Sequence, residues 1–306
     1  MSSLINDCNL RRALTDLGRM WGYYTFKVAG LTLSRLPKRI GYMIVCLIAD
    51  IVYTLSPARR AIVADNISQV LGPKVDKAIL KKTVRGVLRN TGKNYFDLIK
   101  IPRLKLGDIE RSITVHGWPH LEQALKKGKG VMLITAHLGS FDMAMQMFAT
   151  RSIKATILVE LMESPSLLRH ITRLRESKGL TVLPVRPGTS RVAVQSLRRG
   201  EIVLAACDRN IQEDGLTLRF FGKETNMPVG AIKLAMRTEA AIIPVFNLRR
   251  TDGRYDIFLE QALEIASPGK EALVKNMKQV ITVMEKYIRK CPEQWVVLNR
   301  IWQDGR

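Results

Sequence analysis

From about residue 111 onward the chain alternates short apolar runs with amphipathic stretches, and this rhythm limits its fold more than any other feature. Residues 113–116, 131–136, 155–159, 180–185, 202–207, 217–221, 241–248 and 255–259 read as strands. Between them, residues 119–127, 143–148, 165–178, 189–199, 229–238 and 270–290 read as helices, and glycines such as Gly179 and Gly200 stop two of them. Strands alternating with helices predict an α/β fold with a largely parallel central sheet and helices on both faces. The sequence shows neither an internal repeat nor a low-complexity segment.

The first third reads differently. Residues 1–105 look helical, with breaks at Pro37, Pro57 and Gly72-Pro73. Residues 75–100 form an amphipathic pattern that packs on the main domain. Residues 20–55 are expected to contact a membrane, because Trp21, tyrosines and basic residues flank their apolar stretches. The run 40–55 is apolar except for Asp50, yet shorter than the roughly 20 residues a spanning helix needs. It reads as a core or interfacial helix, with a single span as the lesser alternative. The expected organisation is a helical membrane-docking region over 1–105, integral to the fold, and an α/β core over 106–306.

Charge narrows the partners. The chain carries a formal charge of +22, with 46% hydrophobic residues, so it has the means for a core and an attraction for phosphate-bearing partners. Nucleic acid is the first class to weigh. Zinc-finger spacing, an aromatic RNA-binding strand and a purely basic helix are all missing from the sequence. The basic residues are mixed into apolar segments instead, as in Leu36-Pro37-Lys38-Arg39-Ile40, which suits an anionic membrane surface. Cys8, Cys46, Cys207 and Cys291 are too scattered for a disulfide or zinc framework and fit a reducing cytosol. A secretory signal pattern is not evident near the first residues.

The chemistry concentrates where strands end. His137-Leu138-Gly139-Ser140-Phe141-Asp142 follows a buried strand and enters a helix. The spacing predicts an imidazole and a carboxylate side by side at the sheet rim, where α/β proteins keep their chemistry. Such a histidine can take a proton from a hydroxyl while a carboxylate fixes its tautomer. The bland alternative is a satisfied polar residue after a strand. Cys207-Asp208-Arg209-Asn210 also follows a buried strand, so Asp208 could assist His137 and Arg209 could hold a phosphate or an oxyanion; the alternative is a surface turn. Phe220, Phe221 and Gly222 precede a Pro-containing helix start and could line an acyl channel, or else form a hairpin packed on the core. Arg169, Arg173, Arg175 and Lys178 form a basic face, either solvated or binding CoA phosphates or an acidic carrier. His116 and His120 are rejected as a metal pair because Gly117 and Pro119 interrupt any helix between them. Ser140 has no nucleophile elbow around it, and phosphate-binding glycine loops are missing.

Taken in order, these pieces resemble the lysophospholipid acyltransferase superfamily, in particular its branch of lipid A biosynthesis late acyltransferases and phosphatidylinositol mannoside acyltransferases. The resemblance rests on Asn66 in ADNISQVLG, on AHLGSFD, RLRESKG, the strand-end DRN, FFGKETNMPVGAIKLAMRTEAAIIPVF and the closing PEQWVVLNRIW, over about residues 20–303. It implies His137 as general base, Asp142 as its partner acid, and Asp208-Arg209 as a helper pair. Lipid A acyltransferases usually carry Glu at the place of Asp142, often after Asn-Trp. Here Ser140-Phe141 stands instead, which leans toward the mannoside branch. The implied reaction moves a fatty acyl group from acyl-CoA or acyl-carrier protein to a glycolipid hydroxyl, at the cytoplasmic face of the cell membrane. The enzyme would be peripheral or N-terminally anchored, with Arg175, Arg209, Phe220, Phe221 and Gly222 on substrate. No cofactor, metal or nucleic acid is expected. The contrasting classes are a late acyltransferase of lipid A biosynthesis, a hydrolase of thioesters, and a basic membrane- or nucleic-acid-binding protein without catalysis.

Overall fold

A computed structural model describes residues 24–186, 188–210, 215–265 and 269–302. The expected aromatic flank at Trp21 lies outside these residues. The described chain opens in a helical segment, residues 24–33. Helices α1 (Lys38–Leu55), α2 (Pro57–Leu71) and α3 (Lys77–Lys100) follow, as the prolines predict. Pro57 occupies the first turn of α2, where its missing N–H costs nothing. Asp76 caps α3 by accepting from the N–H groups of Ala78 and Ile79. No single described helix is long and apolar enough to cross a membrane; α1 and α2 pass together by length and composition, but with a 98° bend between them.

Helix α4 (Leu106–Ser112) leads into the alternating part: β1 (Ile113–His116), α5 (Trp118–Lys126), β2 (Val131–Thr135), α6 (Phe141–Thr150), β3 (Ala155–Val159), α7 (Pro165–Glu176), β4 (Thr181–Pro184), α8 (Thr189–Arg198) and β5 (Ile202–Ala206). Then come β6 (Leu216–Phe220), β7 (Lys223–Met227), α9 (Gly230–Thr238), β8 (Ala241–Arg249), β9 (Tyr255–Leu259) and α10 (Lys270–Lys290). Seven strands form one sheet in the order β1-β9-β8-β2-β5-β3-β4. Strands β8, β2, β5, β3 and β4 are mutually parallel, and β9 turns antiparallel to β8. The fold is therefore α/β with a mostly parallel sheet.

Alternate residues of β2 enter different cores. Met132 and Ile134 join a cluster with α2, α3, α8, α9 and α10, while Val131 and Leu133 join one with α5 and α6. All five β2 residues are buried, as expected of a strand covered on both faces. The first cluster also includes Val63, Ile67, Val84 and Val87, so the N-terminal helices share a core with the sheet. Strands β6 and β7 form a separate antiparallel hairpin.

Candidate active site

Sheet register brings the two strand ends together. Thr135 of β2 is paired with Ala206 of β5, so His137 and Asp208 each lie two residues beyond one register pair. Both stand at the carboxyl edge of the sheet. His137 Nδ1 lies 2.8 Å from Asp208 Oδ1, and the His137 backbone N–H donates to Asp208 Oδ2 at 2.9 Å. The indole N–H of Trp295 donates to the same Oδ2 at 2.8 Å. Asp208 is fully buried. Burial pushes its carboxyl up, but the His137 charge, the two hydrogen bonds from His137 and the one from Trp295 outweigh that and hold it at about 2. An anionic carboxylate on Nδ1 makes that nitrogen the protonated one and leaves Nε2 as the basic atom.

The expected neighbour of His137 is engaged elsewhere. Asp142 lies in the first turn of α6, and its carboxylate accepts from Arg175 of α7, with Nε to Oδ1 at 2.6 Å. Among the described residues no hydrogen bond joins His137 and Asp142 side chains. Phe141 contacts both groups: its ring meets the His137 ring edge-on at 5.7 Å, and the Arg175 guanidinium sits 5.9 Å from its centroid. The carboxylate on the imidazole is Asp208, and the ion pair behind the turn is Asp142–Arg175.

Other expected site residues also find specific partners. Arg175 is not part of an open basic face, because its side chain is 14% exposed and bound to Asp142. Arg173 stays exposed. Arg209 pairs with Glu160, which follows β3 at the same sheet edge. Phe220 and Phe221 are buried rather than lining an open channel. Phe220 stacks on Trp302 and meets Trp295 edge-on, and Phe221 packs tilted against Trp295, so the hairpin is packed on the core. Phe221 and Gly222 both take positive φ, 49° and 79°, which suits a two-residue hairpin turn. Their aromatic surface supports Trp295, and Trp295 in turn holds Asp208.

Burial also governs two potentially nucleophilic side chains near the site. The Cys207 thiol, inside the core, is pushed up to about 12, chiefly by burial and further by Asp208. Ser140 Oγ is buried and donates to Asp97 Oδ2 at 2.7 Å. Among the described residues, no group of three or more His, Cys, Asp or Glu side chains is placed to hold a metal ion.

A buried polar network lies beneath the turn. Asn247 accepts from the Ser140 N–H and donates to Leu138 O, both at 2.9 Å. Asn94 donates to Gly139 O at 2.6 Å, and the Gly139 N–H donates to Gln294 O at 2.9 Å. Gly139 has φ +63°, and a Cβ there would sit 2.3 Å from Asn247 O, so only glycine fits. Arg249 of β8 donates to Asn90, Asn94 and Asp97, all on α3. Burial lowers the Arg249 pKa, but Asp97 and the neighbouring Tyr42 and Tyr255 raise it further, so the guanidinium stays charged. Sequence reasoning missed Trp295, Asn247, Arg249 and this α3 face. The available signal was Asn90, Asn94 and Asp97, polar residues at one-face helical spacing within an inward-packing helix.

Fold and site define a class: an α/β protein whose strand-end histidine is backed by a buried carboxylate. More specifically, the chain belongs to the family described as bacterial lipid A biosynthesis acyltransferase, which matches residues 11–304. It is 30% identical over 184 residues to a phosphatidylinositol mannoside acyltransferase of Mycobacterium tuberculosis (strain CDC 1551 / Oshkosh), covering 58% of each chain. The counterpart of Mycolicibacterium smegmatis is 29% identical over 241 residues, covering 78% of this chain and 77% of that protein. A lipid A biosynthesis acyltransferase of Haemophilus influenzae is 26% identical over 196 residues, 62% of this chain and 59% of that one. The match thus spans less than two thirds of the M. tuberculosis relative's length.

Proposed function

We propose that this protein transfers a fatty acyl group from an acyl-CoA or acyl-carrier-protein thioester to a hydroxyl of a glycolipid resembling a phosphatidylinositol mannoside. The observation that carries the reading is the His137–Asp208 pair at the sheet edge, closed by the Trp295 indole. His137 Nε2 takes the acceptor hydroxyl proton as its oxygen attacks the thioester carbonyl. The tetrahedral oxyanion collapses, the C–S bond breaks, and the imidazolium returns the proton to the leaving thiolate, giving an ester and a free thiol. Asp208 fixes the tautomer and stabilises the imidazolium. Asp142 and Arg175 hold the first turn of α6 beside the ring. The first N–H groups of α6 have no intrahelical partner, and Ser140, its cap residue, makes no side-chain capping bond. They offer donors to the oxyanion, as does Arg209 if substrate displaces Glu160.

The acceptor is a lipid, so the enzyme docks on a membrane. Ile40, Met43, Leu47, Ile51 and Leu55 are exposed along one face of α1, and the charge of +22 favours an anionic surface. A lipid A precursor is the second acceptor reading, favoured by the family match and the Haemophilus relative. Incubation of the protein with labelled acyl-CoA and separated lipid classes decides between them. Label in an inositol mannoside fraction supports the first, and label confined to lipid A precursors supports the second.

A further inference from the structure

Ser140 stands at the N-cap of α6, where a serine hydroxyl ordinarily accepts from the helix N–H groups. Here it does the reverse. Its Oγ donates to Asp97 Oδ2 at 2.7 Å, and its side chain makes no capping bond. Asp97 comes from α3, far along the chain, and is neutralised by Arg249 at 2.8 Å, with side chains 3% and 4% exposed. A buried carboxylate with its own buried guanidinium is costly to assemble unless something specific is gained.

We propose that Asp97 is a positioning residue, which draws the Ser140 hydroxyl off the α6 terminus and fixes the turn that carries His137. The assignment rests on the general-base reading above. Two consequences follow from the geometry. The Ser140 hydroxyl leaves the first-turn N–H groups of α6 uncapped by its side chain. The Gly139-Ser140 backbone is also clamped, by Asn94 on Gly139 O and by Asn247 on the Ser140 N–H, so that His137 meets Asp208 in one orientation. The helical region therefore contributes to the site through Asp97 and Asn94, both buried beneath the turn.

The test compares Ser140→Ala and Asp97→Asn with Val84→Ala, a cavity variant in the same helix and away from the turn. Acyl-transfer kcat and donor KM are measured with the His137 ring N–H resonance of 15N-histidine-labelled protein, identified by its loss in His137→Ala. The expected result is at least a tenfold loss of kcat for Ser140→Ala and Asp97→Asn, donor KM within twofold, and a moved or broadened ring resonance. Val84→Ala should lower only the melting temperature. If Asp97→Asn fails to fold, Ser140→Ala alone carries the test, because it removes one hydroxyl and no charge. The assignment is overturned if Ser140→Ala behaves like Val84→Ala, with kcat and resonance unchanged. Failure of the functional reading looks different: the wild type then shows no acyl transfer, while the resonance still reports whether Ser140 and Asp97 position the ring.

Discussion

At the scale of single residues, the proposed chemistry needs a histidine whose outer nitrogen is free and whose inner nitrogen is held. The shared Asp208 carboxylate, with donors from His137 and Trp295, provides that arrangement. His137→Ala should lower turnover by about 10²–10⁴-fold with the fold intact, the usual contribution of a general base, as circular dichroism beside kinetics will check. Trp295→Phe removes one hydrogen bond to a buried charge, and kcat should fall about tenfold. Asp208 also links the site to acid stability. Its pKa is depressed to about 2, so its contribution is present above the ordinary carboxylate value and is lost as pH falls through about 2. In urea melts, the stability difference between wild type and Asp208→Asn should shrink by about 2 kcal/mol as pH falls from 6 toward 2. The places of His137 and Asp208 at strand ends were legible in the sequence because each follows a short apolar run, bounded by a glycine, of the length of a buried strand. The hydrogen-bonding pattern was open, since the sequence offered both Asp142 and Asp208: a five-residue spacing does not reveal that the Asp142 carboxylate pairs with Arg175 while Asp208 meets the imidazole.

At the scale of elements, the parallel strands were legible because their apolar runs are buried on both faces, and most predicted bounds fall within a residue or two. Strand β7 was harder. Lys223–Met227 is polar and pairs only with β6, outside the main sheet, so no apolar rhythm marks it. The seating of α1 on α3 was not legible either, since it depends on one missing side chain. A Cβ on Gly41 would lie 1.9 Å from Phe96, which is itself buried. Gly41→Ala should therefore destabilise by about 1–3 kcal/mol despite the better helix propensity of alanine, which a thermal melt will read. The polar face of α3 belongs to the same scale. Arg249→Met leaves Asp97 buried without its cation, and unfolding free energy should drop by about 3–5 kcal/mol.

At the scale of the whole molecule, charge and apolar exposure point the same way. The outward face of α1 carries Met43 at 66% and Leu47 at 62% exposure. Replacing both with glutamate should abolish flotation with anionic vesicles and leave the melting temperature nearly unchanged, because exposed positions tolerate substitution. Wild-type binding should weaken with salt and be poorer on neutral vesicles. The composition suggests an anionic partner, but only the fold relates the N-terminal helices to the sheet edge that carries His137, through the α3 residues beneath the turn. The central claim is acyl transfer by a His137–Asp208 base to a membrane glycolipid. Its most direct test is transfer of labelled acyl-CoA into a membrane lipid extract by wild type, His137→Ala and Asp208→Asn. The account predicts label in a glycolipid with wild type and at least a hundredfold less with His137→Ala. Undiminished transfer by His137→Ala, or release of the label as free fatty acid whether or not lipid is present, would contradict it.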